Sequence, residues 1–413
     1  MRVSSLTSFT QLSSVSGGHK RSVRTCAWKP HTRGESVLAT GSFDASAGIW
    51  RKTETGDELE VDVGRFEGGR RQRRGGDDDD DYEGASDADS DDKGDDEYRF
   101  AVILDGHESE IKSVAWSAGG QFLATCSRDK SVWVWEEMED DNFETVAVLQ
   151  EHEGDVKCVV WHPEEDLLAS ASYDDTIRLY KEDVDDWTGI SVLNGHSATV
   201  WCLDFEPVKG TQIVKASVSE NEADKRALIE EREKAGPRLI SSSDDLTIRI
   251  WRRKPKDKPL PPTGQGRMPS ILRTNSIEEE WVEEAQLPAR HERAVYSVSW
   301  SKVTGRVVST GSDGKIIVYE ERWKDRTPSS QEGASKAVLA EGIVVDPSPQ
   351  AETPPAIHPT EWVVVGEVEA AHGVFEVNHV CWTNRADRSK RRDDEEVIVS
   401  TGDDGEVRVW KLD

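Results

Sequence analysis

The sequence predicts an all-β propeller of six complete repeats preceded by part of another blade, and three periodicities carry that prediction. A histidine stands nine residues before an aromatic at His19/Trp28, His107/Trp116, His152/Trp161, His196/Phe205 and His291/Trp300, and ten before one at His372/Trp382. An aspartate then precedes a second aromatic by six residues, at Asp44/Trp50, Asp129/Trp135, Asp174/Tyr180, Asp245/Trp251, Asp313/Tyr319 and Asp404/Trp410. Four residues before each aspartate is a hydroxyl: Thr40, Thr125, Ser170, Ser241, Ser309 and Ser400. The uninterrupted spacing, His107 to His152 to His196, is 45 and then 44 residues, the period of one four-stranded propeller blade.

Taken in chain order, residues 1–18 read as a partial first blade of two outer strands. Met1 to Leu6 resembles the end of an Asp-x5-Trp strand, and Phe9 to Gly17 fits an outer strand before Gly18-His19. Residues 19–413 form one propeller domain of WD40-type repeats. Stretches such as Ile111 to Trp116, Phe122 to Thr125 and Val132 to Trp135 are short, β-branched and aromatic, and broken by Gly, Ser and Asp, as strands joined by tight turns are. A lone blade cannot bury both faces, so neighbours must supply its core. The outer strand that should follow Trp410 is missing. Propellers commonly close by pairing their termini, which leaves two alternatives: a six-bladed ring closed by Phe9 to Gly17, or a seven-bladed one whose first ~40 residues are lost from the sequence, about one repeat. The second is the expectation adopted.

Insertions interrupt the repeats at 53–98, 209–237, 254–276, 324–360 and 384–396, all between expected strands, where surface loops tolerate length. The first holds an Arg-rich patch (Arg65, Arg70, Arg71, Arg73, Arg74) beside an acidic run. The second includes a charged stretch, Asn221 to Lys234, that suits a short exposed helix. The third is Pro-rich and basic, the fourth Pro/Ser-rich, and the last a charged hairpin extension.

Of the net charge of −29, Asp77 to Glu97 contributes −12 through thirteen acidic residues and one lysine, the composition of a solvated loop. The remainder is still strongly acidic, which disfavours nucleic acid as a partner. No apolar stretch approaches the ~18 residues of a membrane span, and Met1 to Ser16 lacks a signal-peptide core. Cys26, Cys126, Cys158, Cys202 and Cys381 lie in strands of different blades without a C-x-x-C pair, and read as small buried residues of a reducing compartment. No cofactor or metal is expected.

The recurring polar residues have a structural explanation. Asp accepts from the imidazole, the imidazole meets the Ser or Thr hydroxyl, and the hydroxyl accepts from the indole N–H, so each buried polar group satisfies another. This assigns His19, His107, His152, His196, His291 and His372, with Asp44, Asp129, Asp174, Asp245, Asp313 and Asp404, to a structural network. Tyr180 and Tyr319 replace Trp, and their networks should differ.

One face of a propeller carries the turns before these aspartates and the loops leading into the inner strands. Phe43, Arg128, Tyr173, Asp244, Ser312 and Asp403 precede the aspartates; Arg24, Lys112, Lys157, Trp201 and Tyr296 lie five residues after the histidines. The face therefore collects four cations and four aromatics, residue types favoured as interface anchors. Arg128, Lys112, Lys157, Arg24, Tyr173, Trp201, Tyr296 and Phe43 are the candidate partner-binding residues.

Three segments go beyond the generic pattern: Leu123 to Trp135 (LATCSRDKSVWVW), Glu151 to Pro163 (EHEGDVKCVVWHP), and Ala169 to Tyr180 (ASASYDDTIRLY) with Asp185-Asp-Trp187. They resemble the WD40 subunit of the cytosolic iron-sulfur protein assembly machinery, in a filamentous-fungal version judged by its long loops, and the resemblance spans all six units apart from the insertions. It implies seven blades, no enzymatic activity, and a cytoplasmic scaffold, present also in the nucleus. With a MIP18-family subunit and a HEAT-repeat subunit, such a scaffold passes clusters from an iron-only-hydrogenase-like carrier to iron-sulfur apoproteins of cytosol and nucleus. The family places a functional surface arginine at Arg128, in Cys126-Ser-Arg-Asp-Lys-Ser131. With Lys112 and Lys157 nearby it would meet the carboxylates of an acidic or C-terminal peptide. A Leu-Tyr-Arg tripeptide docks a cochaperone in that family; here it reads Leu179-Tyr180-Lys181, and Tyr180 belongs to the buried network.

For an enzyme, the chain offers no G-x-S-x-G, H-E-x-x-H, P-loop or Gly-rich phosphate motif. A calcium loop starting at Asp87 fails, because Asp92 occupies the glycine position and Tyr98 the closing glutamate position. The competing reading is another interaction scaffold, a ubiquitin-ligase substrate receptor or a chromatin-associated propeller, from which fold alone does not distinguish it.

Overall fold

The computed structural model describes residues 15, 17–30, 32, 34–53, 98–139, 141–183, 186–207, 222–255, 278–324, 360–385, 390, 392 and 394–412. Among these residues twenty-three strands form six antiparallel sheets in chain order. Blade 1 is β1 (Val23–Trp28), β2 (Glu35–Ser42), β3 (Ser46–Thr53) and β4 (Arg99–Asp105); blade 2 is β5 (Ile111–Trp116), β6 (Phe122–Ser127), β7 (Val132–Glu137) and β8 (Phe143–Leu149). Blade 3 is β9 (Val156–Trp161), β10 (Leu167–Ser172), β11 (Ile177–Asp183) and β12 (Asp186–Leu193), and blade 4 is β13 (Val200–Phe205), β14 (Leu239–Ser243), β15 (Ile248–Arg253) and β16 (Trp281–Gln286). Blade 5 is β17 (Val295–Trp300), β18 (Val307–Gly311), β19 (Ile316–Trp323) and β20 (Thr360–Val368); blade 6 has three strands, β21 (Val377–Asn384), β22 (Glu396–Gly402) and β23 (Val407–Trp410).

The first strand of each blade packs on the first strand of the next, from β1 through β21, so these strands surround the axis. From β5 onward each sends an apolar triplet against the preceding blade. Ile111, Val114 and Trp116 cover Val37, Ala39, Ala47 and Ile49; Val156, Val159 and Trp161 cover Ala124, Cys126, Val132 and Val134; Val295, Val298 and Trp300 cover Ile240, Ile248 and Ile250. The core is therefore a series of seams between sheets, which is why a single repeat cannot fold alone.

The corresponding triplet of β1 is Val23, Cys26 and Trp28, and all three are exposed, Trp28 at 58%. Cys26 thus departs from the expectation of five buried cysteines, because no described sheet lies before blade 1 to cover it. Cys158, Cys202 and Cys381 are half-buried along the inner strands and Cys126 is buried. The expected strands at Met1 to Leu6 and Phe9 to Gly17 fall outside the described residues apart from Val15 and Gly17, neither of which is in a strand.

The insertion before β14 contains α1 (Glu222–Ala235), close to the expected segment, but it is not free of the body. Leu228, Arg232 and Ala235 are buried along one side, at the spacing of a helical stripe, while Arg226, Ile229, Glu230 and Glu233 face solvent. Arg232 reaches a buried ion cluster centred on Arg238, which the sequence pattern does not signal. Arg238 forks onto Glu206 with two contacts of 2.9 Å and reaches Glu284 at 3.0 Å and Glu321 at 2.9 Å. Its guanidinium carbon also lies 5.2 Å from the Trp300 ring centre and 5.9 Å from that of Trp362. Glu206, Arg238 and Glu284 belong to blade 4, as does the insertion that carries Arg232, while Glu321, Trp300 and Trp362 belong to blade 5, so the cluster ties two blades together. Arg238 is 2% exposed and fully ionised there, since the three carboxylates outweigh the burial that opposes its charge.

Candidate partner-binding face

The β2–β3 type turns and the loops leading into the inner strands lie at the same end of the molecule, because both follow strands that run toward it. Each turn has a left-handed residue directly after its aspartate: Ala45, Lys130, Asp175, Leu246, Gly314 and Gly405, with φ between 66° and 74°. Four of these are not glycine, so the turn must be held by its surroundings. The aspartate does this. Asp129 Oδ1 accepts from Ser131 N at 2.9 Å, and Oδ2 accepts from Glu108 N at 2.9 Å and from His107 Nδ1 at 2.8 Å.

The His107 ring continues to Thr125 Oγ1 at 2.8 Å, and that oxygen accepts from Trp135 Nε1 at 3.0 Å. The same relay runs through His196, Asp245, Ser241 and Trp251, and through His372, Asp404, Ser400 and Trp410, with contacts of 2.7–2.8 Å. With His152 and His291 it stops at Ser170 and Ser309, and the buried hydroxyls of Tyr180 and Tyr319 have no hydrogen-bond partner among the described residues. In blade 1, His19 Nδ1 is 3.4 Å from Asp44 and hydrogen-bonds instead to Ser46 Oγ at 3.1 Å, which donates to Asp44 at 2.6 Å.

These bonds determine the acid response. Burial alone would raise the Asp129, Asp174 and Asp245 carboxyls, but the histidine, hydroxyl and backbone donors hold each well below the ordinary aspartate range. A carboxyl depressed on folding stabilises the fold fully above its unfolded pKa of about 3.9, and that contribution is lost as pH falls through the folded value. Stability is therefore expected to decline below about pH 4, and Asp129→Asn should flatten that part of the curve. Urea midpoints measured from pH 7 to pH 3 check this; an unchanged slope in the variant would contradict it.

In every blade the residue before the aspartate donates its N–H to a carbonyl of the loop leading into the inner strand. The pairs are Phe43 to Ser22 (3.0 Å), Arg128 to Glu110 (3.1 Å), Tyr173 to Asp155 (2.8 Å), Asp244 to Thr199 (3.0 Å), Ser312 to Ala294 (2.9 Å) and Asp403 to Glu376 (3.1 Å). The two sets of candidate residues are thereby stapled side by side. Phe43 lies under Arg21, Arg24 and Lys112, each charge 5.8–5.9 Å from the ring centre. Lys157 lies 5.5 Å from the Tyr173 ring centre and 5.0 Å from that of Trp201, and Trp201 meets Tyr296 edge-on at 5.3 Å. Trp201 Nε1 donates to Asp244 at 2.5 Å and Tyr296 OH to Glu376 at 3.1 Å.

Lys112 and Lys157 are not available in the way their charge suggests. Lys112 pairs with Glu110 and Lys157 with Asp155, two residues earlier on the same side of the chain, and their side chains are 12% and 11% exposed. Arg21, Arg24 and Arg128 are exposed, as are Lys20, Lys130 and Arg293 on the same turns and loops. The Arg128 guanidinium has no hydrogen bond or ion pair among the described residues; the Lys112 hydrogen bond, helped by the charges of Lys112, Arg128 and Arg24, holds the Glu110 carboxyl below its ordinary range. Arg21 and Asn378 were not singled out from the sequence. Asn378, which donates to Asp403 at 2.6 Å, takes the inner-strand position in blade 6, displaced by the extra residue between His372 and Trp382. Leu179 and Tyr180 are fully buried and Lys181 pairs with Glu165 at 2.8 Å, so the tripeptide presents no docking surface.

The repeat family "WD domain, G-beta repeat" matches residues 9–51, 99–136, 143–181 and 285–320. Blade 6 and most of blade 4 lie outside those spans yet close the same relay. Similar over all of this chain is a protein of Phaeosphaeria nodorum named "Probable cytosolic iron-sulfur protein assembly protein 1", 54% identical over 420 residues, with 88% of its own length covered. The chain belongs to the cytosolic iron-sulfur protein assembly protein 1 family. Relatives of the same name from Coccidioides immitis and Aspergillus terreus are 50% and 52% identical, each with 90% of its length and all of this chain covered. Identity at this level over the full chain makes the seams and relays described above the expected framework of the family. Among the described residues no helix is long and apolar enough to cross a membrane, and no cluster of three or more His, Cys, Asp or Glu has the arrangement of a metal site.

Proposed function

We propose that this protein is a non-catalytic docking scaffold of cytosolic iron-sulfur protein assembly, working in the cytosol and the nucleus. The relatives' names support the process, and one topological observation supports the mode of action. All five insertions leave from the end of the blades opposite the aspartate turns, so none interrupts the turns and loops that carry Arg21, Arg24, Arg128 and the aromatic cluster. Loop length is tolerated where nothing must dock and is excluded where something must. On this reading Arg128 takes a partner carboxylate by charge-assisted hydrogen bonds while Phe43, Tyr173, Trp201 and Tyr296 supply apolar contact. The partners are a MIP18-family subunit, a HEAT-repeat subunit, an iron-only-hydrogenase-like carrier and iron-sulfur apoproteins.

Affinity purification of the tagged full chain tests this. Recovery of a MIP18-type subunit with iron-sulfur apoproteins is expected, and depletion should lower a cytosolic iron-sulfur enzyme while mitochondrial ones stay normal. Recovery of cullin adaptors or histones in their place would move the protein to the competing class of scaffold.

We further propose that a seventh sheet completes the ring between blades 6 and 1. The exposed Val23, Cys26 and Trp28 support it, since the matching triplets of blades 2 to 5 are buried, and Val407 on the facing side of blade 6 is 52% exposed. In the protein isolated from its own cells, Cys26 should then resist alkylation until unfolding; rapid native-state alkylation would exclude the seventh sheet.

A further inference from the structure

The seam between blades 3 and 4 brings two thiols together near the axis of the ring. Cys158 on β9 and Cys202 on β13 directly follow Lys157 and Trp201, whose side chains meet at 5.0 Å across that seam. One residue further on, Cys158 Sγ lies 4.0 Å and Cys202 Sγ 3.7 Å from the same Leu203 carbonyl oxygen, so the two thiols converge on one acceptor. Both are half-buried rather than sealed, as expected of side chains on the axis side of inner strands. Cys126 differs: it is buried on β6 and its thiol donates to the Val156 carbonyl at 3.6 Å.

We propose that Cys158 and Cys202 are a redox-active dithiol that hydrogen peroxide closes to a disulfide between blades 3 and 4. The neighbouring Cys158 thiol makes Cys202 the more acidic of the two, although burial opposes this, while Cys202 and burial together raise Cys158. The Cys202 thiolate therefore attacks one peroxide oxygen. The O–O bond breaks, the departing hydroxide takes the thiol's proton to become water, and Cys202 becomes a sulfenic acid. The Cys158 sulfur then attacks the Cys202 sulfur; the S–O bond breaks and hydroxide leaves with the Cys158 proton as a second water. Two thiols are oxidised and one peroxide is reduced. The resulting bond ties β9 to β13 immediately beneath Lys157 and Trp201, so oxidation acts on the candidate binding face without touching it. This chemistry is independent of which partners the face recognises.

The test uses the full chain, treated with hydrogen peroxide, quenched with an alkylating agent, digested and analysed by mass spectrometry without reductant. A peptide pair joined through Cys158 and Cys202, lighter by two hydrogens than the sum of the reduced peptides and separated by dithiothreitol, is the expected product. In Cys158→Ser, Cys202 should instead be captured as a sulfenic acid by dimedone. Before oxidation, Cys202 should alkylate at least about tenfold faster than Cys126 in the native wild-type chain, a measurement that needs no variant to fold. Full alkylation of both thiols after peroxide, or their separate over-oxidation without a joined peptide, would overturn the proposal. So would equal native alkylation rates at Cys202 and Cys126.

Discussion

Arg238→Leu is expected to lower stability by about 3–5 kcal/mol, the cost of removing one partner from a buried ion cluster. The loss follows from what remains rather than from what is removed. Glu206, Glu284 and Glu321 stay buried around the vacated position, at 2–7% side-chain exposure, with Arg232 as the nearest cation and Arg252 at the edge. Burial would push the Glu321 carboxyl up; the charges of Arg238 and Arg232 hold it at about 2. Without Arg238 at least one of the three carboxyls must take up a proton or draw in water. The urea midpoint at pH 7 measures the loss. The deficit should shrink toward pH 4, where protonation relieves the excess negative charge, and Arg238→Lys should fall between because an ammonium cannot fork onto Glu206. A loss below about 1 kcal/mol would mean that the cluster does not hold blades 4 and 5 together, since replacement by an apolar side chain would then be nearly neutral.

Arg128→Glu should weaken capture of an iron-sulfur apoprotein by at least about tenfold, or ~1.4 kcal/mol, while leaving the unfolding midpoint unchanged. The expectation of intact folding rests on the exposed side chain and on a structural role carried entirely by the backbone N–H bonded to Glu110, which any residue but proline retains. The expectation of weaker binding rests on charge: the substitution places a carboxylate beside Glu110, and an incoming acidic group would meet two like charges. Pull-down at low and moderate salt separates this from misfolding, because the wild-type advantage should narrow as salt screens it. Capture equal to that of wild type at low salt would remove Arg128 from the binding face.

The relay residues are legible in the sequence because the repeat makes each position a sixfold coincidence, and tight turns leave little freedom in where Asp129 sits relative to His107. Even the altered units at Tyr180 and Tyr319 are visible there, since a phenol lacks the indole N–H. The state of Lys112 and Lys157 was legible in principle: Glu110 and Asp155 stand two residues before them, and side chains two apart in an extended chain share a side. Each charge is satisfied locally, so the exposed cations of the face, Arg128 among them, are the ones able to meet a partner.

Residue spacing alone established the blade, its turns and the face that carries them, because strand alternation and hairpin geometry are local constraints that recur with every repeat. Contacts between blades were decided only in the assembled ring. Arg238 meets Glu321 across 83 residues, Cys158 reaches the Leu203 carbonyl beside Cys202 across 45, and β1 shows an apolar face with nothing described against it. Those relations depend on how far each sheet is rotated about the axis, a property of packing between sheets that no spacing within one repeat encodes.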